Sequence, residues 1–258
     1  MITNQNKKTT PYNNMKKTLT ILTLLVLFIS FKASAQDDLP QQIKSYLSFQ
    51  GGLSLPSGNF GKSIYGNNSA GYAKNGAVFA LDGAVYLYKN FGIGATFTFQ
   101  DQGELNTNDA QSLSNGYNNS FVKDQTTVTS QGRYHSSFLM AGPQYTFIFN
   151  KFLLDLRASA GIVKSWSTPI IIVEFDTSND NNIVPTQVSS TAKAFAYGGS
   201  AGLRYSFSES WDVGFKLNYV NSDGIAIQNQ GDPGTTGRYV TKLPITVLQS
   251  TLGITLHL

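Results

Sequence analysis

Eight stretches of this chain carry an apolar residue at every second position, and between them no stretch sustains the 3.6-residue apolar period of a helix. They run over about 46–55, 76–88, 91–100, 134–149, 152–166, 194–207, 211–220 and 245–258. In 91–99 the apolar row is Phe91, Ile93, Ala95, Phe97 and Phe99, with Gly92, Gly94, Thr96 and Thr98 between. In 211–219 Trp211, Val213, Phe215, Leu217 and Tyr219 alternate with Asp212, Gly214, Lys216 and Asn218. Successive side chains of a strand point to opposite faces, so each stretch reads as a strand with one apolar face and one small, polar face. The chain is therefore all-β, and 258 residues is an ordinary length for one such domain.

The connections alternate in length. Lys89-Asn90, Asn150-Lys151 and Ser208-Glu209-Ser210 are short enough for tight hairpins. The others, about 56–75, 101–133, 167–193 and 221–244, are long and rich in Asn, Ser, Thr, Gly and Asp. Short and long in turn is the pattern of an up-and-down antiparallel meander with one compact end.

The first 35 residues read as something other than fold. Lys16 and Lys17 precede an apolar run over 18–31, and Ala33-Ser34-Ala35 forms a small-residue cleavage site. The run is shorter than the roughly 20 residues of a membrane-spanning helix. Residues 15–35 are thus expected to be a cleaved signal peptide, 1–14 an upstream extension with Met15 as an alternative start, and 36–258 the folded domain. The lysines of this segment also carry the whole formal charge of +4, since five of the 19 basic residues and no acid lie in it. The remainder of the chain has one more acid than base, which with no basic, aromatic-interleaved patch excludes nucleic acid as a partner. The absence of Cys removes disulfides, thiolate metal sites and lipid attachment through sulfur.

Two architectures suit alternating strands. A secreted soluble sandwich or ligand-binding β-barrel points its apolar face inward; a barrel in lipid points it outward. The polar faces here are small and glycine-rich, not studded with long charged side chains. Aromatics bracket all three short turns: Tyr86, Tyr88 and Phe91; Phe147, Phe149 and Phe152; Tyr205, Phe207 and Trp211. Such side chains suit a membrane–water boundary. The pattern also runs as a strand to Leu258, and a closed barrel leaves no unpaired edge in lipid. The fold expected is an eight-stranded antiparallel up-and-down transmembrane β-barrel with short periplasmic turns and long extracellular loops.

The residues SFKASAQ (30–36), GGLSLPSGNFG (51–61), AGPQYTF (141–147) and GLRYSF (202–207) set in this pattern resemble the small outer-membrane β-barrel family of Gram-negative bacteria, the OmpA/OmpX-like group and its Bacteroidetes-type branch. The resemblance covers nearly all of 46–258, and the terminal Leu258 departs from the aromatic with which many of these barrels end. It implies a location in the cell outer membrane. The partners it implies are outer-membrane lipid, lipopolysaccharide and the barrel-assembly machinery, with an unidentified extracellular partner at the loops. It implies no single activity.

A barrel of eight strands has little interior, and side chains fill it. The alternation places Asp82, Asp155, Arg157, Arg204, Asp212 and Lys216 on the inner face, where three acids and three bases can pair as a structural lumen charge network. The role expected is structural or surface interaction in the envelope. A narrow porin-like or secretion-accessory barrel is one alternative and an outer-membrane lipid A hydrolase another. The last rests on His135-x-Ser137, a spacing similar to that of outer-membrane lipid A deacylases; the position twelve after Ser137 is Phe149 instead of an acid, and no enzyme is expected. Asp176, Ser178, Asp180 and Asn182 alternate like the start of a calcium loop, but Asn181 and Gln187 stand where Gly and Glu belong. Gly198–Gly202 lies inside a strand and is no phosphate loop. No cofactor is expected.

Overall fold

The computed structural model describes residues 43–67, 69–121, 126–175, 186–230 and 242–258. In chain order the elements are β1 (Tyr46–Pro56), β2 (Gly76–Tyr88), β3 (Phe91–Asp101), α1 (Thr107–Phe121), β4 (Thr126–Gln131), β5 (His135–Phe149), β6 (Phe152–Ser167) and β7 (Ile170–Phe175). They continue with β8 (Thr186–Gln187), β9 (Ala192–Ser206), β10 (Trp211–Ser222), β11 (Ile225–Ala226), β12 (Asn229–Gln230), β13 (Lys242–Leu243) and β14 (Thr246–His257).

Eight of the strands close into an antiparallel barrel in the order β1-β14-β10-β9-β6-β5-β3-β2. The seam between first and last runs in unbroken register from Tyr46↔His257 to Pro56↔Val247. The closed ring supplies the ladder partners that lipid would not. At the turn end, Lys89 and Asn150 open the two-residue hairpins at φ of 46° and 57°, as the tightest hairpins require.

The apolar rows point outward. Phe97 is 46% exposed, Phe215 42% and Leu252 64%, whereas Thr96 and Thr251 on the alternate rows are buried. Burying a large apolar side chain is worth about 1.5–3 kcal/mol, so a wall built of such residues is favourable against hydrocarbon and not against water. Aromatics do ring the turn end, among them Phe149, Phe152, Tyr205 and Trp211. Tyr86 departs from the expected ring: it lies on the inward row of Asp82 and Ala84, its phenol in the lumen 2.6 Å from Thr146 Oγ1, and the register shift that follows it leaves Tyr88 exposed on the outside.

Two features at the loop end differ from expectation. The stretch 101–133, expected as an irregular polar loop, holds a helix and a strand. Asn106 caps α1, its side-chain oxygen accepting from the Asp109 N–H at 2.9 Å. Ala110, Leu113 and Tyr117 recur at helical spacing and pack on Val128 of β4 and Val173 and Phe175 of β7. The sheet beneath has the order β12-β8-β7-β4, so strands from three loops combine into a layer with its own apolar core. The second difference lies inside the barrel. The lumen is polar at the turn end, but toward the loops it becomes apolar, with Phe138, Met140, Val163, Val220 and Val247 meeting Phe60, Ile225, Leu243 and Ile245 from the loops.

Candidate functional site

The lumen near the turns is a chain of charges. Asp82 of β2 is 2% exposed and takes two cations on one oxygen, Arg157 Nη1 and Lys216 Nζ, both at 2.7 Å. Thr96 donates to the same oxygen at 2.5 Å. Asp155 accepts from Arg204 through Nε at 2.7 Å and Nη2 at 3.1 Å, and from Thr146 at 2.5 Å. Arg204 then reaches Asp212 at 2.8 Å, and Asp212 lies 2.7 Å from His257 Nε2. Gln144 joins the two halves: its carbonyl accepts from Arg157 at 2.9 Å and 2.6 Å, and its amide donates to Asp155 at 3.2 Å. Tyr46 donates to Asp82 at 3.1 Å, while the Arg204 guanidinium stacks 4.1 Å above its ring.

All six residues singled out from the sequence thus lie in one connected interior group. Tyr46, Tyr86, Gln144, Thr146 and His257 belong to it as well and were not singled out. Strand parity alone would have found them, since each sits on an inward position beside a charge. The small residues of the inner faces have a spatial reason. A Cβ on Gly94 would collide with the Arg157 guanidinium, and one on Gly214 would lie 2.9 Å from Arg204 Cγ. The long cations of β6 and β9 occupy the room that β3 and β10 leave.

Toward the loops lies a belt of neutral amides. Gln249 donates to Gln100 and Asn218 donates to Gln249, each at 2.8 Å, and Gln100 donates to Ser136 at 2.9 Å. The apolar plug lies beyond it. The space left among Tyr46, Asp82, Gln144, Asp155 and Arg204 is about 20 Å³, room for a single water.

His135 and Ser137 lie on the outer wall of β5, but they do not face one another chemically. His135 Nδ1 is 3.0 Å from Ser167 Oγ and its Nε2 is 3.6 Å from Asp101, which itself holds Arg133 at 3.0 Å. The Ser137 hydroxyl accepts from the Trp166 indole at 3.0 Å. Among the described residues no cluster of His, Asp and Glu could hold a metal ion. Asp176, Ser178, Asp180, Asn181 and Asn182 fall outside the described residues, and Gly198–Gly202 lies within β9.

A closed wall that is apolar outside and ion-paired within defines a transmembrane barrel of the outer-membrane type. The sequence matches the family described as the outer membrane protein beta-barrel domain over residues 22–240, and the chain belongs to that family. Membership implies the outer membrane as its location. Among solved structures the chain is similar to Neisserial surface protein A, at 11% identity, with 83% of this chain and 97% of that one covered and a TM-score of 0.44. It is also similar to Ail, the attachment invasion locus protein of Yersinia pestis, at 13% identity over 84% of this chain and 100% of that one, with a TM-score of 0.43. The N-terminal β-barrel domain of Pseudomonas aeruginosa OprF is similar at 11% identity over 84% and 100% of the two chains, with a TM-score of 0.34. No curated protein matches the chain.

Proposed function

We propose that this is a closed barrel that anchors a folded loop layer at the cell surface, in a structural or surface-interaction role. The observation that carries the reading is the lumen. Its turn half is filled by ion pairs with room for one water, and its loop half by an apolar plug. Such an interior supports anchoring in preference to a narrow porin-like or secretion-accessory passage. In this reading residues 15–35 are removed as a signal peptide after export, and 1–14 lie upstream of it. Residues 36–258 fold with the short turns in the periplasm and the loops outside. Outer-membrane lipid and lipopolysaccharide surround the wall, the barrel-assembly machinery inserts it, and an extracellular partner meets the layer of α1, β4 and β7.

Planar-bilayer recording tests the closed lumen. The refolded chain is expected to give no stable stepwise conductance, and reproducible openings would favour the passage instead. The lipid A hydrolase reading has a separate check: Ser137→Ala is expected to leave the lipid A acyl content of the host unchanged by mass spectrometry.

A further inference from the structure

We propose that Lys164 and Lys193 together hold the negatively charged phosphate of an outer-leaflet lipid against the barrel wall. The inference rests on the membrane reading above and adds to it a specific site.

The two lysines stand directly opposite one another on adjacent strands, Lys164 of β6 pairing in register with Lys193 of β9. Both lie on outward positions, in the rows whose next members are Ile162 and Phe195. Like charges opposite each other across a ladder repel at side-chain separations of about 5 Å. Among the described residues no carboxylate pairs with either lysine: of the acids at this rim, Asp101 is engaged by Arg133, and Asp223, whose N–H donates to the Phe195 carbonyl at 3.0 Å, forms no ion pair with them. An anion from outside the chain would relieve the repulsion.

The height of the pair selects the anion. The row just toward the turn end is Phe97, Leu139, Ile162 and Phe195, linked strand to strand by register and wholly apolar. The lysine row is the first polar one above it. Phe152, in the aromatic ring of the opposite boundary, is twelve residues from Lys164 along β6. Twelve residues span about 30 Å of barrel height at the usual strand rise and tilt. The lysines therefore sit just beyond the apolar band, at the depth of lipid phosphates. Trp166 fixes one of them: Lys164 Nζ lies 3.2 Å from the centre of its ring, and the Trp166 indole N–H is itself held by Ser137 at 3.0 Å. The Lys164 ammonium is thus pre-positioned, and the exposed Lys193 can close on the phosphate from the neighbouring strand.

Trp166 also reports on the site. The chain has two Trp, so Trp211→Phe leaves Trp166 alone. That full chain is refolded in nanodiscs holding a fixed fraction of brominated lipid, either anionic phosphatidylglycerol or zwitterionic phosphatidylcholine. Quenching of Trp166 is expected to show a preference of roughly twentyfold for the anionic lipid, and Lys193→Gln is expected to reduce that preference about fivefold. Lys193→Gln leaves the Trp166 contact with Lys164 in place, so the reporter is unchanged. Equal quenching by the two lipids, or an undiminished preference in Lys193→Gln, overturns the proposal. Inorganic phosphate in the buffer distinguishes the source: if millimolar phosphate abolishes the preference, the site takes free anions and the lipid assignment fails. Unboiled electrophoresis of the same samples separates the two levels of inference. A missing compact band counts against the barrel in lipid, whereas a compact band without lipid preference counts against the lysine pair alone.

Discussion

Replacing Arg204 with Leu removes the cation shared by Asp155 and Asp212 while leaving the aliphatic bulk on β9. Both carboxylates are buried, and Arg204 meets them at 2.7 Å and 2.8 Å. Removing one partner of a buried ion pair costs about 3–5 kcal/mol, because the charge left behind stays desolvated. The stack on Tyr46 adds about 1 kcal/mol. The remaining donors soften the loss, since Asp155 keeps Thr146 and Asp212 keeps Ser206 and His257. A total of about 3–5 kcal/mol is expected. Equilibrium unfolding in urea from lipid vesicles, followed by Trp emission, would show it as a midpoint lowered by about 2 M at an ordinary urea slope. The compact unboiled band should persist, because the outer wall is untouched. A second variant tests the cause: Asp155→Asn, Arg204→Leu and Asp212→Asn together remove the unpaired charges and should recover more than half of the loss. If Arg204→Leu unfolds within about 0.5 kcal/mol of the parent chain, or the triple variant is no more stable than the single one, the charge argument is wrong.

The same structure sets three further outcomes. Gly94→Ala drives a methyl onto the Arg157 guanidinium and should cost about 1–3 kcal/mol in the same assay, while Gly51→Ala, whose new Cβ meets Phe79 at an ordinary 3.9 Å, should change stability by less than about 0.5 kcal/mol. Phe215→Arg places a charge on the outward row of β10 and should cost about 2–4 kcal/mol in bilayers; no cost there would sink the lipid-facing assignment. Tyr117→Ala removes a ring that meets Tyr65 at 5.0 Å and Phe175 at 5.5 Å, so the loop layer should lose about 3–5 kcal/mol. Limited proteolysis should then cut near α1 while the barrel keeps its compact band.

Most of the barrel was legible because strand alternation is a local signal. The expected boundaries of all eight barrel strands fall within about two residues of the observed ones, and the parity of Asp82, Arg157 and Lys216 came from their neighbours. The helix was not legible: among its described side chains the apolar ones that pack on the sheet are Ala110, Leu113 and Tyr117, too thin a stripe to stand out without the strands beneath. The apolar plug was hidden for a different reason. Phe138, Leu139 and Met140 are consecutive, and alternation assigns no inner face when both neighbours are apolar. The inner members were intelligible only once Phe60, Ile225 and Ile245 were seen to reach into the barrel. Tyr86 was misplaced because its nearness to the turn was weighed above its parity, which puts it on the inward row with Asp82 and Ala84.

Gly94 and Arg157 share one allotment of volume across two strands that do not pair with each other. Neither can drift by itself: a side chain at 94 needs a shorter one at 157, and a shorter one at 157 takes away one of the two cations on Asp82 and opens a void. Relatives of this chain that have lost the glycine should therefore have lost the arginine too, so that the interior changes in matched steps while the lipid-facing surface varies freely.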